Sequence, residues 1–427
     1  MVGDFERFDM SRRPKSQWLW LTVVTWILSF PKKLRHLAKI KRFNVPKRMK
    51  PPYFLLCNHN SFMDFKIMSA AIFPYKANYV VAIDGFIHFE RLMRALGCIC
   101  HRKFSKNVSM VRNMLHVVRH NGNIMVLFPE ARYSLSGTQA TMPESLGKMV
   151  RIMNVPVVTL IMHGHHINSP SWNIGNRGVM HVESEMSLLL TKEETQELSI
   201  DEINARVAEA FQYDDYAWQK EKNIRCRKKR RAEGLHRVLY QCPACNTENK
   251  MTSEKSILSC GSCGKEWEMT ELGELRALTG ETEFSHIPSW YEWERANVRR
   301  EVEDGVYSIE GSVRVASLPN SKGFVRFSEP GRFVHNMSGI TLNGVYEGEP
   351  FEVSWPAATL NTCHVEFKYK KWGDCVELST NDDTFYLFPE RPGFAVTKVA
   401  LATEELYRYY EGSQEVGEPV SQLSVEG

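Results

Sequence analysis

The sequence has little of what defines several common classes of protein. Its formal net charge is only +4 over 427 residues, which by itself does not indicate nucleic-acid binding. It has no G-x-S-x-G elbow, no G-x4-G-K loop and no G-x-G-x-x-G fingerprint, so the nucleophile and nucleotide sites built on those motifs are not indicated. No internal repeat or low-complexity segment is present. The length and the ordinary hydrophobic content of 43% predict two or three globular domains.

The sequence also lacks an apolar run of the roughly 20 residues that a membrane-spanning helix needs. The nearest candidate is Trp18–Phe30, which contains three Trp, is flanked by basic residues and is followed by Pro31. Because Trp and basic residues favour the headgroup boundary, we expect an interfacial anchor in one leaflet. The alternative is a buried first helix. No small-residue cleavage site follows, so a signal peptide is not indicated.

Basic residues are concentrated directly after this apolar segment. Residues 31–50 contain no Asp or Glu, and their basic residues are Lys32, Lys33, Arg35, Lys39, Lys41, Arg42, Lys47, Arg48 and Lys50. A second basic run spans Arg225–Arg231. Either run can be a solvated face, but the first adjoins the anchor. Residues 1–50 are therefore predicted to be a membrane-associating region.

Only four of the ten cysteines follow a recognisable spacing. Cys242, Cys245, Cys260 and Cys263 form two C-x-x-C pairs separated by fourteen residues, a pattern that favours tetrahedral Zn²⁺ in a zinc ribbon. Two disulfides or redox pairs are the alternative. Four thiolates leave no open position, so the zinc is predicted to be structural. The other six cysteines lack a disulfide-like spacing, which indicates a reducing, intracellular compartment.

The order of apolar runs and turn residues predicts the domains. Residues 51–213 alternate strand-like and helix-like segments, which predicts an α/β domain with a mixed sheet. A helical connector is expected at 214–240 and the zinc ribbon at 241–275. Residues 285–412 contain eight strand-like runs closed by a helix, a pattern that resembles a pleckstrin-homology or GRAM-like barrel. Residues 413–427 are expected to be a tail.

One segment, N-H-N-S-F-M-D, places His59 and Asp64 between a strand-like run and a helix-like run. A turn at that junction would let the carboxylate orient the imidazole, whose other nitrogen could take a proton from a hydroxyl nucleophile. The alternative is structural: Ser61 with Asp64 also fits a helix N-cap followed by an acidic residue.

Three further segments carry weaker signals. G-C-I-C-H-R-K ends in Arg102 and Lys103, cations that can hold a phosphate, although a surface pair is the plainer interpretation. L-F-P-E-A-R-Y-S places Glu130 and Arg132 after an apolar strand, where α/β sheets locate ligand contacts; the alternative is a salt-bridged pair. V-P-V-V predicts a strand and has no titratable group. The cluster His163, His165 and His166 has nothing nearby to complete a metal site, so a local structural or solvent role is expected.

Taken in order, these four segments resemble the motifs of the glycerolipid acyltransferase family, of the 1-acylglycerol-3-phosphate acyltransferase type. The resemblance covers roughly residues 30–213. The sequence departs from the family pattern at Ala131, where Gly is usual and where Ala disfavours a positive φ. The cation of the second segment also comes one place early, so Arg102 and Lys103 compete for one role.

The resemblance implies a role for each matching residue. His59 would be the general base and Asp64 its partner. The implied substrate-binding residues are Arg102 or Lys103 for the acceptor's phosphate, and Glu130 and Arg132 for the glycerol end. The implied fold is an α/β sheet with helices, held at a membrane through the N-terminal region.

The expected function is acyl transfer from acyl-CoA or acyl-carrier protein to a lysophospholipid hydroxyl. The acceptor that the resemblance implies is 1-acyl-sn-glycerol-3-phosphate, which would give phosphatidic acid. We expect membrane lipids as partners, no nucleic acid, and a location at the cytoplasmic face of a membrane. One alternative is a non-catalytic lipid-binding scaffold whose zinc ribbon binds a partner. A nucleic-acid adaptor, suggested by the ribbon and Arg225–Arg231, is opposed by the apolar anchor.

Overall fold

The computed structural model describes residues 3–35, 37–46, 49–105, 108–173, 180–390 and 393–415. Lys47 and Arg48 of the basic run, and residues 416–427 of the expected tail, lie outside the described residues. The described strands form three sheets.

The first sheet has seven strands and is the centre of the α/β domain. Its strands are β1 (Lys39–Phe43), β2 (Phe54–Cys57), β3 (Ala77–Ala82), β4 (Cys98–His101), β5 (Ile124–Leu127), β6 (Val157–His163) and β7 (Glu183–Leu190). They are ordered β1-β7-β6-β2-β5-β3-β4, and only the β6–β7 pair is antiparallel. The predicted mixed sheet is therefore confirmed.

Helices cover both faces of this sheet. They are α1 (Leu19–Arg35), α2 (Met63–Ala71), α3 (Glu90–Ala95), α4 (Val108–His116), α5 (Ser145–Met153), α6 (His165–Asn168), α7 (Glu194–Glu197), α8 (Ile200–Ala210) and α9 (Asp215–Glu221). Alternate residues of β2 enter different apolar clusters: Phe54 and Leu56 lie in one, Leu55 and Cys57 in the other. This alternation buries the strand on both sides. Within the described ranges, no helix is long and apolar enough to cross a bilayer.

Part of the predicted membrane-associating region belongs to the sheet. β1 pairs in parallel with β7, and Lys41 contacts Glu183 at 3.1 Å and Glu185 at 3.5 Å. These acidic partners lower the repulsion within the basic run. The predicted helical connector is wrong over most of its length, because only α9 and a short 3-10 turn at Leu235–Arg237 are helical there.

The second sheet is the small antiparallel module that contains the paired cysteines. Its strands are β8 (Met251–Glu254), β9 (Ile257–Cys260), β10 (Glu266–Met269) and β11 (Leu275–Ala277), in the order β11-β10-β9-β8. The helix α10 (Ile287–Glu303) follows. Trp290 of α10 packs edge-on against Trp267 of β10, with ring centroids 5.0 Å apart. This contact joins the module to the rest of the chain.

The third sheet is antiparallel and confirms the predicted β-rich C-terminal region. Its strands are β12 (Ser308–Ser317), β13 (Val325–Arg326), β14 (Gly331–Asn336), β15 (Gly339–Tyr346), β16 (Glu349–Pro356), β17 (His364–Tyr369), β18 (Gly373–Ser379) and β19 (Thr384–Pro389). The order is β16-β15-β14-β12-β19-β18-β17, with β13 paired to β12. The helix α11 (Val396–Glu415) closes it. The pleckstrin-homology or GRAM-like assignment stays a prediction.

The C-terminal sheet domain packs against the α/β domain through a shared apolar core. Leu318, Tyr386 and Phe388 belong to the same buried cluster as Phe86 and Ile87. Burial of this many large apolar side chains is the main stabilising contribution to such a contact. The two domains therefore form one packed body.

Candidate active site

The loop after β2 is fixed to the neighbouring strand β6 before it reaches His59. The Asn58 side chain donates to the Met162 carbonyl at 3.0 Å, and its Oδ1 accepts from the Met162 N–H at 2.8 Å. Asn58 is fully buried, so the chain leaves the sheet at a defined point. This is the carboxyl end of a central parallel strand, where open α/β sheets locate their ligand-contacting groups.

His59 and Asp64 meet across the turn that joins β2 to α2. His59 Nδ1 lies 3.0 Å from Asp64 Oδ2. The His59 side chain is 24% exposed, whereas that of Asp64 is fully buried. Because the carboxylate engages Nδ1, the Nε2 atom is left to accept a proton from a substrate hydroxyl. The contact that the sequence predicted is present, and its catalytic role stays a prediction.

Asp64 also caps the turn, so the structural and chemical interpretations of this residue coexist. Its Oδ2 accepts from the backbone N–H groups of Asn60 and Ser61 at 2.6 and 2.8 Å. Burial opposes ionisation of the carboxyl, but the hydrogen bonds and the electrostatic attraction of His165 and His59 outweigh it and hold the pKa of Asp64 well below its usual range. Asp64 is therefore an ionised acceptor at neutral pH.

A second histidine, which the sequence did not assign to the site, contacts the other oxygen of Asp64. His165 Nδ1 lies 2.6 Å from Asp64 Oδ1, and both side chains are fully buried. Asp215 holds the same loop, because its carboxylate accepts from the Gly164 N–H at 2.9 Å. Burial raises the pKa of Asp215 to about 7 against these hydrogen bonds.

Glu130 supports the His59 loop from beneath. Its Oε2 accepts from the His59 N–H and its Oε1 from the Ala140 N–H, each at 2.8 Å. Burial raises the pKa of Glu130 to about 7 despite these donors. The side chain is fully buried and in this arrangement does not reach a substrate hydroxyl. The predicted contact with the glycerol end is therefore replaced by a bond that positions the backbone of His59.

Aromatic rings flank the imidazole of His59. Its ring centroid lies 4.3 Å from that of Phe128 and 4.4 Å from that of Tyr133. Between these residues Ala131 adopts a φ of +52°, so the turn keeps the backbone form that glycine favours. For a non-glycine residue this form costs roughly 1–2 kcal/mol. The turn brings both rings against His59.

Arg102 was predicted to bind the acceptor's phosphate, but it lies between the two large domains. The side chain is buried. It donates to the carbonyls of Leu318 and Pro319 at 2.8 Å each and to the Thr384 hydroxyl at 2.9 Å. While the C-terminal sheet domain stays docked, these donors are occupied and Arg102 does not face a substrate.

Lys103, the alternative cation, is paired within the same interface. Its Nζ lies 3.0 Å from Glu377 Oε2 on β18. Burial alone would lower the pKa of Lys103. The carboxylates of Glu377, Asp84 and Glu366 have the larger, opposite effect, so the pKa is raised above its ordinary value. Lys103 therefore stays protonated, and its positive charge is balanced by the carboxylate of Glu377. This corrects its predicted role in phosphate binding.

Arg132, like Arg102 and Lys103, is occupied by groups from the C-terminal part of the chain. Its guanidinium forms an ion pair with Glu404 of α11 and donates to the Cys363 carbonyl at 3.2 Å. Although burial opposes ionisation, Arg132 and Arg295 lower the pKa of Glu404 to about 2. The alternative of a salt-bridged pair between Glu130 and Arg132 is therefore wrong in its partner, because Arg132 is salt-bridged to Glu404 of the distant helix α11.

The four paired cysteines converge in the second sheet. Their Sγ atoms all lie within 4.8 Å of one another, with 3.7 Å between Cys242 and Cys263 and 3.8 Å between Cys245 and Cys260. A tetrahedral zinc with Zn–S bonds of about 2.3 Å has S···S edges of about 3.8 Å. Disulfides need about 2.05 Å. The cluster therefore fits a Zn²⁺ ion and not the disulfide alternative.

The backbone around the cysteines supports the same conclusion. The residue after the second cysteine of each pair has a positive φ, +57° at Asn246 and +74° at Gly264. The N–H of each donates to the carbonyl of the first cysteine, at 2.8 and 2.9 Å. The two turns are thus equivalent, and they present both thiol pairs to one point. Any metal here would be fully coordinated by the protein and structural.

These features define a class: an α/β domain with a histidine–carboxylate pair at the carboxyl end of a central strand and a separate four-cysteine module. Residues 35–163 match the model of the protein family described as Acyltransferase. No curated protein sequence matches the chain. Among solved structures, the chain is similar to the 1-acyl-sn-glycerophosphate (LPA) acyltransferase PlsC from Thermotoga maritima. That match has 14% identity and a TM-score of 0.39, and it covers 48% of this chain and 80% of that one.

The family match spans β1, His59, Asp64 and the strand β6. The chain therefore contains an acyltransferase domain, and the acyltransferase family predicted from the four motifs is confirmed.

Proposed function

We propose that the protein transfers a fatty acyl group from acyl-CoA or acyl-carrier protein to the hydroxyl of a lysophospholipid. The observation that supports this most directly is the 3.0 Å contact between His59 Nδ1 and the ionised, buried Asp64 within a domain of the acyltransferase family. A carboxylate so placed fixes the imidazole tautomer and stabilises the imidazolium that forms during proton transfer.

The proposed step uses this pair without a covalent enzyme intermediate. Nε2 of His59 takes the proton of the acceptor hydroxyl as its oxygen attacks the thioester carbonyl carbon. The carbon–sulfur bond then breaks, and the imidazolium returns the proton to the leaving thiolate. An ester and a free thiol result, and His59 is regenerated.

The exposed face of α1 supports a membrane-surface location for this reaction. Its apolar stripe consists of Trp20, Val23, Val24, Ile27 and Leu28, all exposed to solvent. These positions share one helical face at i, i+3, i+4, i+7 and i+8 spacing. Exposed apolar patches of this kind mark interaction surfaces, and Trp with flanking basic residues favours a bilayer interface.

The opposite face of the same helix is largely buried and contains three hydroxyl side chains. The hydroxyls of Thr22, Thr25 and Ser29 donate to backbone carbonyls four residues earlier, at 3.1, 2.8 and 2.7 Å, and so need no other partner. Trp26 packs edge-on against Phe73, which follows α2, at 4.7 Å. The helix therefore turns its apolar side away from the protein, which opposes the alternative of a buried first helix. It also lies beside α2, whose first turn contains Asp64.

The cysteine module has no chemical step in this proposal. Zn²⁺ held by Cys242, Cys245, Cys260 and Cys263 would brace the module against α10, with no open position for substrate.

Product formation from purified protein tests the function. Lysophosphatidate and other lysophospholipids are each supplied with acyl-CoA or acyl-carrier protein, and the diacyl products are measured by mass spectrometry. His59→Ala is expected to lower turnover by about 10²–10⁴-fold with an unchanged melting temperature. His120→Ala, at an exposed position, is the matched control.

The outcomes separate the candidates. Turnover by the wild type and its loss in His59→Ala support the proposal. Turnover that survives His59→Ala refutes the general-base assignment. Vesicle binding without product from any acceptor or donor favours the non-catalytic scaffold.

A further inference from the structure

The loop that follows β6 brings a second imidazole beneath the candidate catalytic pair. β6 ends at His163, and the chain turns at Gly164, whose φ is +83°. A side chain at Gly164 would meet the Trp218 ring at 2.8 Å and the His181 carbonyl at 3.1 Å. Only glycine fits both the backbone form and the space. The tight turn delivers His165 into the core, where it reaches Asp64 from a position 101 residues away.

We infer that His165 is a positioning residue for the acyl-transfer site, holding Asp64 in the orientation that His59 requires. This inference rests on the proposed function of His59 and Asp64. Each imidazole contacts a different oxygen of the Asp64 carboxylate. His59 Nδ1 lies 3.0 Å from Oδ2, and His165 Nδ1 lies 2.6 Å from Oδ1. Because Asp64 is ionised, each Nδ1 donates to it.

The hydrogen bonds of Asp64 show why the second imidazole matters. Oδ2 accepts from His59 and from the N–H groups of Asn60 and Ser61. For Oδ1, His165 is the partner that the described part of the chain shows. Removal of His165 would leave a buried, charged oxygen without a donor, which is costly in a low-dielectric site. The carboxylate would then rotate or recruit water, and His59 would lose its fixed orientation.

Two side chains hold the backbone of Gly164, the residue before His165. Asp215 accepts from the Gly164 N–H at 2.9 Å, and Asn168 donates to the Gly164 carbonyl at 2.7 Å. His165 is fully buried, and its Nε2 has no hydrogen-bond partner among the described residues. Within the described part of the chain, the imidazole of His165 therefore makes its one hydrogen bond to Asp64, as expected for a group that orients another and does not touch substrate.

Three variants separate positioning from a general loss of stability. His165→Leu removes the donor and keeps similar bulk. His165→Asn places an amide N–H near the position of Nδ1 and should restore the bond. His335→Leu is the matched control, because His335 is also buried and its Nδ1 makes a 2.9 Å hydrogen bond, but to Tyr307 in the C-terminal sheet domain.

The kinetic test compares kcat with KM for acyl donor and lysophospholipid. Loss of an outer partner that orients a reacting group typically costs about 10–100-fold. We expect His165→Leu to lower kcat by about that factor with KM changed less than about threefold. His165→Asn should recover most of the loss, and His335→Leu should keep kcat within about threefold. Equal kcat in the two leucine variants, or no recovery with asparagine, would overturn the inference.

A spectroscopic test does not depend on turnover. Nitrogen-15 NMR of histidine-labelled protein reports the tautomer of His59, whose signals are assigned by their loss in His59→Ala. We expect the Nδ1-protonated form in the wild type and in His335→Leu, and a mixture of tautomers in His165→Leu. A His59 spectrum unchanged by His165→Leu refutes positioning even when the protein is active. A wild type that forms no product but shows the expected spectra refutes the proposed function alone.

Discussion

The apolar stripe of α1 gives the sharpest prediction, because its contribution to membrane binding can be worked from exposure. Ile27 and Leu28 are 63% and 61% exposed and make little contact with the rest of the protein. The double variant Ile27→Gln/Leu28→Gln should therefore fold normally. It introduces no charge, so a change in membrane affinity reports apolar burial alone.

The magnitude follows from the exposed fractions. Complete burial of an Ile or Leu side chain is worth roughly 1.5–3 kcal/mol. Burial of the exposed part in a bilayer interface is then worth about 1–2 kcal/mol for each residue and about 2–4 kcal/mol for the pair. Since about 1.4 kcal/mol corresponds to a tenfold change in affinity, the double variant should bind vesicles about 30- to 700-fold more weakly.

Co-sedimentation with phospholipid vesicles measures this difference. Leu278→Gln is the matched control, because Leu278 is 48% exposed but lies after β11 in the cysteine module. Its vesicle affinity should equal that of the wild type. If the double variant and the wild type bind equally, the stripe is not the membrane contact. If Leu278→Gln weakens binding as much, the effect is not specific to α1.

Three further predictions concern zinc, pH and the domain interface. The purified protein should contain about one zinc per chain. Cys260→Ser or chelation should lower its melting temperature, because structural zinc contributes folding free energy. A metal-free protein of unchanged stability would contradict this prediction. Burial raises the pKa of Glu130 from an ordinary value of 4.5 to about 7, so its stabilising contribution is complete below about pH 4.5 and is lost as the pH rises to about 7. Denaturant titrations of Glu130→Gln should show a flatter fall of stability over that range, and a slope equal to the wild type's would count against it. Glu377→Gln should lower the free energy of unfolding by about 3 kcal/mol, because it leaves the buried Lys103 charge without its nearest partner. The double change Lys103→Met/Glu377→Leu should recover most of that loss, since it removes both charges. A double variant as unstable as the single one would argue against the buried pair.

The sequence predicts most of the strands, because buried parallel strands appear as short continuous apolar runs. The strand β5, for example, is a run of four buried apolar residues, Ile124–Leu127. β1 was missed for a physical reason. Its sequence, K-I-K-R-F, is that of a basic run, and it becomes a strand because β7 supplies both a parallel partner and the acidic side chains of Glu183 and Glu185. No local pattern contains that information.

The candidate site divides in the same way. His59 and Asp64 are five residues apart, so their contact depends on one local turn and was predictable. His165 and Asp215 reach the site from distant parts of the chain, and the triplet of histidines around His165 carries no pattern that points to a carboxylate. The contact between His165 and Asp64 can be predicted only when the ends of β2 and β6 are known to be neighbours in the sheet.

The interface also bears on the choice of acceptor. Arg102, Lys103 and Arg132 are the three cations that the sequence assigns to the acceptor, and each is bound by an oxygen of the C-terminal sheet domain or of α11. Because these contacts are buried, a lipid phosphate competes for any of the three cations only if the domains separate. If the two domains stay packed together during turnover, the enzyme would instead recognise the acceptor by its glycerol and acyl parts. Lysophosphatidate and a lysophospholipid with a shielded phosphate would then react at similar rates. A strong preference for lysophosphatidate would mean that the C-terminal sheet domain moves during turnover, and in that case Glu377→Gln should change the preference as well as the stability.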